Sequence, residues 1–315
     1  MARFLLRRLA MLAVTLVVSS FAIYTAMYLA PGNPIAALTG GKTPSPQSIA
    51  ILEKRYHLDQ PFLVRYVKWL GSALHGDFGV SIPLRTEVST LIRQRAGTTV
   101  QLVLYASVLI VVLGVGLGLL GGLRRGLPDF LVIIVTTIGA AVPTFVASTL
   151  LLFVFAVKLG WLPALGGGHG VFDQLKHLTL PAIALAIGSM SLVARVTRAT
   201  VREESQREHV QTAISRGIPM PLVIRRHVLR NSAIPITTVV GITIASLFAV
   251  SAVVERAFSL NGLGAYLIQA ALSKDFAVVQ GIALVLVTVF VVINTVVDLL
   301  YALLDPRVSL GEKAT

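Results

Sequence analysis

The sequence predicts an all-α, polytopic membrane protein with six transmembrane helices, and three observations carry that prediction. Hydrophobic residues make up 55% of the 315-residue chain and charged ones 13%, with a mean hydropathy of +0.83, too apolar for a water-soluble domain. The apolar residues gather into stretches of about 20, the length that carries a helix across a roughly 30 Å hydrocarbon layer with its backbone polar groups paired internally. The 27 Lys and Arg residues outnumber the 14 Asp and Glu, and they are divided among the loops between those stretches.

The first stretch, near Leu9 to Leu29, follows Arg3, Arg7 and Arg8. Such a start also fits a cleaved signal peptide, but the apolar run is long for one and Pro31-Gly-Asn-Pro34 is a poor cleavage site, so we read a retained span. Residues 31–98 are too many for a turn and form an extracytoplasmic helical insert. Ser45-Pro-Gln-Ser48, followed by Ile49, Leu52, Tyr56 and Leu58, predicts a capped amphipathic helix. Leu63, Tyr66, Val67, Leu70 and Leu74, with Trp69 nearby, predict a second. Both are expected on the outer membrane face, either bracing the spans or meeting a soluble partner. The remaining spans are placed near Thr99 to Leu123, Leu131 to Val157, Leu178 to Val196, Ala233 to Val254 and Ala277 to Tyr301, within a transmembrane domain of residues 99–304. Pro181 and Gly188 fall in the fourth, where a helical bundle tolerates them. Residues 1–30 hold the amino terminus and first span, and residues 305–315 form a tail.

Orientation follows from the basic loops. Arg124 and Arg125 follow the second span, and Arg198, Arg202, Arg207, Arg216, Arg225, Arg226 and Arg230 follow the fourth. These share one side with Arg3, Arg7 and Arg8 if both termini are cytoplasmic in a plasma membrane. The insert is also basic, but loops of its length translocate largely regardless of charge.

Several motifs are set aside. With no cysteine, disulfides, thiolate metal sites and thiol nucleophiles are excluded. No basic stripe interleaved with aromatic residues points to nucleic acid. Gly41-Lys42-Thr43 lacks the leading glycine and preceding strand of a phosphate-binding loop. Gly116-Leu-Gly-Leu-Leu-Gly121 matches a dinucleotide fingerprint in form only, because it sits inside an apolar span. Gly114, Gly118 and Gly122, four residues apart, instead predict close helix packing. His57, His75, His169, His177, His209 and His227 show no metal spacing, and no catalytic constellation or cofactor motif is recognisable. Asn294 and Asp298 lie one turn apart in the last span; we read Asp298 as reaching the interface or an arginine rather than serving a proton relay.

The most informative segment is the polar loop at residues 198–232. A helix is expected from Ser205 to Arg216, then a break at Gly217 where φ turns positive, then Pro219 and a second helix from Leu222 to Arg230. Val210, Ala213 and Ile214 form an apolar strip, expected to face a groove on a soluble partner. A topogenic role explains the arginines but neither the glycine break nor the second helix.

Across essentially its whole length the chain resembles the membrane-spanning permease subunits of ATP-binding-cassette importers, in particular the first permease of the oligopeptide/dipeptide branch, which also includes nickel and glutathione systems. The resemblance rests on Leu29-Ala-Pro-Gly-Asn-Pro34, Arg65-Tyr-Val-Lys-Trp-Leu70, Gly76-Asp-Phe-Gly79, Thr212-Ala-Ile-Ser-Arg-Gly217 and Arg226-His-Val-Leu-Arg-Asn231. It continues through Val254-Glu255, Asn261-Gly-Leu-Gly264, Asp275 with Gln280-Gly281, and Asp298 to Arg307. In that family a cytoplasmic E-A-A-x-x-x-G loop inserts a coupling helix into the nucleotide-binding subunit. Aligned on Gly217, its second alanine is Ala213, and its Glu and first Ala fall on Gln211 and Thr212. Asn261 stands where the branch often has proline.

The resemblance implies an ATPase-coupling loop carried by Glu208, Gln211, Thr212, Ala213, Arg216 and Gly217. It implies as partners a second permease subunit, two ATP-binding subunits, an extracytoplasmic substrate-binding protein and membrane lipid. The chain itself would be non-catalytic, with di- or oligopeptides as cargo and the pathway residues unassigned. Rival classes are a secondary transporter or channel without ATPases, against which no internal repeat is visible, and an intramembrane enzyme.

Overall fold

The computed structural model describes residues 2–29, 60–81, 83–168 and 170–304. Ten helices account for most of these residues: α1 (Ala2–Leu29), α2 (Phe62–Leu74), α3 (Val88–Leu123), α4 (Leu127–Ala141), α5 (Thr144–Lys158), α6 (Val171–Ser205), α7 (Glu208–Ser215), α8 (Met220–Ala257), α9 (Leu263–Leu272) and α10 (Phe276–Leu304). Among the described residues the only β-pairing is an isolated antiparallel bridge between Val80 and Glu87. The expected amphipathic helix at Ser45 to Leu58, the Gly41-Lys42-Thr43 segment and the tail at 305–315 lie outside the described residues, as does the side chain of Asp298.

Five single helices, α1, α3, α6, α8 and α10, are long and apolar enough to cross a membrane. The stretch expected as one span from Leu131 to Val157 is instead the pair α4 and α5, bent by 100°. The cause is local: Pro143 cannot donate a helical hydrogen bond, and Val142 before it adopts extended dihedrals (φ −82°, ψ 117°). Together α4 and α5 still make one traverse. Asp129, in the first turn of α4, pairs with Arg198 and Arg202 near the end of α6, so those two ends adjoin. Because α6 is a full crossing of 35 residues, the chain between Leu127 and Val171 must return to its far end.

Two other boundaries differ from expectation. Residues 88–98, assigned to the insert, are the first turns of α3. The fourth span extends well beyond Leu178 to Val196 in both directions, because α6 continues past the apolar stretch at each end. Within α3, residues Ile110–Val115 are wound as a π-helical turn.

The core lies around α6, with over half of its most apolar window buried against 6% for α1. Leu102, Val103, Ala106 and Ile110 of α3 meet Leu185, Ala186 and Val193 of α6 and Leu247 and Phe248 of α8. The glycine strip packs as predicted, against α6. A Cβ on Gly114 would stand 3.1 Å from the Met190 carbonyl, one on Gly118 would overlap Thr197, and one on Gly122 would crowd Val201. Against the C-terminal part of α1, α2 places Phe62, Tyr66 and Trp69 among Phe21, Tyr24 and Tyr28. Ser20 and the Tyr66 hydroxyl share a buried hydrogen bond of 2.9 Å. The adjoining face of α2 leaves Leu63, Val67 and Leu74 exposed, with Lys68 and Ser72 on the remaining side, the amphipathic pattern expected of an interfacial helix.

Candidate functional site

The candidate site is the elbow between α6 and α8, built around the eight-residue α7. Its end is a glycine stop. Gly217, at φ 74°, donates its N–H to the Ile214 carbonyl at 2.9 Å, and Ile218 donates to the Ala213 carbonyl at 3.3 Å. This paired arrangement satisfies two terminal carbonyls and needs the left-handed conformation that glycine adopts without a Cβ clash. Ile218 then turns inward onto the apolar cluster beneath α7.

That cluster corrects the expectation for the apolar strip. Val210 and Ala213 are buried within this chain, packed with Val201 of α6 and with Val223 and Val228 of α8. Of the strip, only Ile214 is exposed. Val210 and Ala213 sit three residues apart on one side of a short helix, and the nearest apolar surface available to them belongs to their own chain. The outward face is Glu208, Gln211, Thr212, Ile214, Ser215 and Arg216, predominantly polar. Ala213 therefore supports the loop from within, and Thr212 stands at the surface.

The second expected helix is also different. From Met220 the chain runs through a π-helical turn at Ile224–Leu229 straight into Arg230–Ala257, so the segment after Gly217 is the end of span α8. A displacement of α7 thus has a continuous rod to act on.

Polar contacts fasten α7 to both neighbouring spans. Gln211 Nε2 donates to the Ser205 carbonyl at the end of α6 (3.1 Å). Glu204, a buried carboxylate on α6, collects three partners: Arg207 Nε at 3.0 Å, His209 Nε2 at 3.2 Å and Asn231 Nδ2 at 2.7 Å. These partners come from the linker, from α7 and from α8, so one carboxylate ties three elements. Two residues towards the amino end of α6, Arg202 Nη1 reaches Asp129 Oδ2 at 2.6 Å, and Arg198 joins the same carboxylate.

At the opposite end of α8 several of the stretches that carried the family resemblance converge. Glu255, fully buried, accepts hydrogen bonds from Thr99 Oγ1 of α3 (2.7 Å) and the Ala265 N–H of α9 (2.8 Å), while Thr99 Oγ1 accepts from the Leu263 N–H (2.8 Å). Gly262 is required there, since a Cβ would overlap the Glu255 carboxylate. Asp275 accepts from Ser81 Oγ at 2.5 Å, Gly281 makes room for Phe78 and Val88, and Arg95 lies 3.9 Å over the Tyr266 ring.

Sequence reasoning missed Glu204, Asp129 and Thr99 as organising residues. For Asp129 a signal existed: Arg198 and Arg202, four apart on one helix face, call for an anion, and Asp129 stands four residues after Arg125 of the basic Arg124-Arg125 turn.

Comparison with known proteins identifies the family and the fold. Residues 114–310 match the model of the binding-protein-dependent transport system inner membrane component, and residues 1–103 match the model of the N-terminal part of such components. The chain is 32% identical to the dipeptide transport system permease DppB of Alkalihalophilus pseudofirmus, covering 98% of this chain and 100% of that one. It is 33% identical to the oligopeptide transport system permease AppB of Bacillus subtilis (98% and 100%) and 33% identical to the glutathione transport system permease GsiC of Salmonella paratyphi A (98% and 99%). Among solved structures, the MetNI methionine ABC transporter in an inward-facing conformation shares the fold. The TM-score is 0.55 at 16% identity, over 68% of this chain and 96% of that one.

Proposed function

The chain belongs to the family of binding-protein-dependent transport system inner membrane components, and from that premise we propose that it is a membrane-spanning permease subunit of an ATP-driven peptide importer. It pairs with a second, similar permease to enclose the pathway. An extracytoplasmic binding protein delivers di- or oligopeptide, and two ATP-binding subunits carry out hydrolysis. Both termini face the cytoplasm, as does the α6–α8 elbow with its concentration of arginines.

The observation that carries this reading is the architecture of the elbow. α7 presents Glu208, Gln211, Thr212, Ser215 and Arg216 outward, while Val210, Ala213 and the Glu204 contacts fix it to the ends of two spans. An ATPase that moves α7 would therefore move α6 and α8 with it, a rigid-body switch between inward-open and outward-open arrangements.

Thr212→Trp tests the docking face. The bulky side chain points away from the buried cluster, so the protein should still insert, but co-purification of the ATP-binding subunits and ATP-driven uptake should both be lost. Full retention of both would remove α7 from the ATPase interface.

A further inference from the structure

Three arginines line the inner part of α6, and they are not equivalent. Arg198 and Arg202 share the carboxylate of Asp129. Arg195, one turn closer to the bilayer centre, turns elsewhere: its Nη2 donates to Thr137 Oγ1 at 3.1 Å, and among the described residues it meets no carboxylate. Thr137 lies two turns beyond Asp129 on α4, so the Arg195 guanidinium stands roughly 12 Å deeper along that helix than the ion pair. The side chain therefore does not run back to the near interface, as a basic residue at the end of a lipid-facing helix does. One turn further on, α4 stops at Ala141 and the chain bends by 100°.

Arg195 and Thr137 are both exposed on the surface of this chain. A guanidinium turned towards acyl chains at that depth is strongly unfavourable, and charged side chains within spans are found facing polar cavities or partners. Broken helices are likewise tolerated where they border such a cavity. Arg195 and Thr137 therefore require a polar space or a polar partner opposite them, although Ile133, Ile138 and Leu192 beside them are exposed apolar residues.

We propose that Arg195, steadied by Thr137 beside the α4–α5 bend, is a transient subsite in the pathway for the carboxylate of the passing cargo. The proposal rests on the peptide-importer reading above. A guanidinium presents a planar fork that matches a carboxylate, and the Thr137 hydroxyl engages only part of it. A free α-carboxylate is the one anionic group that peptides of differing side chains have in common. A single cation with a neutral support binds it without trapping it, as passage requires.

The complete transporter, reconstituted in vesicles with saturating binding protein, provides the test. Uptake of trialanine is compared with uptake of trialanine amide in wild type, Arg195→Gln and Arg195→Lys. The binding protein is common to all three, so its own preference cancels. The acid-to-amide uptake ratio should fall about tenfold in Arg195→Gln, the effect of one charge-assisted hydrogen bond, and should fall less in Arg195→Lys, which keeps the cation and loses the fork. An unchanged ratio in Arg195→Gln, with both peptides still imported, overturns the subsite and leaves the importer reading standing. Loss of the second permease from the Gln variant identifies an inter-subunit ion pair and overturns the proposal. A ratio that follows the anionic-lipid content of the vesicles assigns Arg195 to headgroups, with the same result. Wild type that imports neither probe defeats the peptide reading, and the subsite with it.

Discussion

Each end of α8 is secured at a buried glutamate, Glu255 of α8 itself at one end and Glu204 of α6 at the other, and the two are held by opposite means. At the Ala257 end, the outer one in the proposed orientation, Glu255 is met by the Thr99 hydroxyl and the Ala265 N–H, neutral donors fixed on α3 and α9. At the elbow, Glu204 is met by Arg207, His209 and Asn231, long or polar side chains of which Arg207 is more than half exposed. Neutral backbone-anchored donors hold one geometry, because moving the acceptor leaves a buried N–H without a partner. Flexible polar side chains at a half-wet surface, the Arg207 guanidinium among them, can follow the carboxylate through small rotations at little cost. The outer end is thus built as a fixed joint, and the elbow as a tether whose contacts can follow a moving carboxylate.

Three substitutions sharpen or break that contrast. The largest effect is expected from Glu255→Leu, which removes an acceptor shared by two elements and leaves Thr99 and the Ala265 N–H facing apolar surroundings. It should cost roughly 3 kcal/mol and appear as a lower thermal midpoint and a smaller yield of folded protein. A midpoint within a degree of wild type would show that the outer end is not the rigid joint described.

Glu204→Gln should be gentler on stability, about 1 kcal/mol, because Asn231 can still donate to the amide oxygen while the contacts with Arg207 and His209 weaken. Its signature is functional: peptide imported per ATP hydrolysed should drop severalfold while the ATP-binding subunits remain attached. If that ratio holds at the wild-type value, the tether is ornamental and motion reaches the spans by another route.

Gly217→Ala should have the smallest effect. Placing a Cβ at φ 74° costs about 1 kcal/mol, confined to the end of α7. ATPase attachment should weaken modestly with no change in the thermal midpoint of the spans. A fall in that midpoint comparable to Glu255→Leu would mean that elbow and outer end unfold as one unit.

Much of this architecture is legible in the chain. Hydropathy alone places the spans, since a helix in hydrocarbon needs a run of apolar residues whatever its neighbours are. The Gly114, Gly118 and Gly122 spacing announces a close helix contact, and Gly217 followed by Pro219 announces the elbow. The failures are equally physical. Val210 and Ala213 look like a docking stripe, because an eight-residue helix has an apolar side in either case, and periodicity does not say which body covers it. The unbroken rod from Met220 to Ala257 is hidden by the polar run at its start, which reads as loop until it is seen joined to a span. Pro143 is visible in the sequence, yet the size of the bend it permits depends on how α4 and α5 pack on α6.

By itself, then, the sequence determined that this chain crosses a membrane as helices, where its basic elbow falls and which small residues let helices touch. Each of these follows from local composition and from backbone hydrogen bonding that must be satisfied within a segment. Only the tertiary structure decided that Glu204 gathers three elements, that Asp129 takes two arginines and leaves Arg195 to Thr137, and that Thr99, Glu255 and Gly262 share one joint. Such pairings, Glu204 with Asn231, Arg195 with Thr137 and Thr99 with Leu263, join residues 27, 58 and 164 positions apart, and only the packing of the helices brings them together.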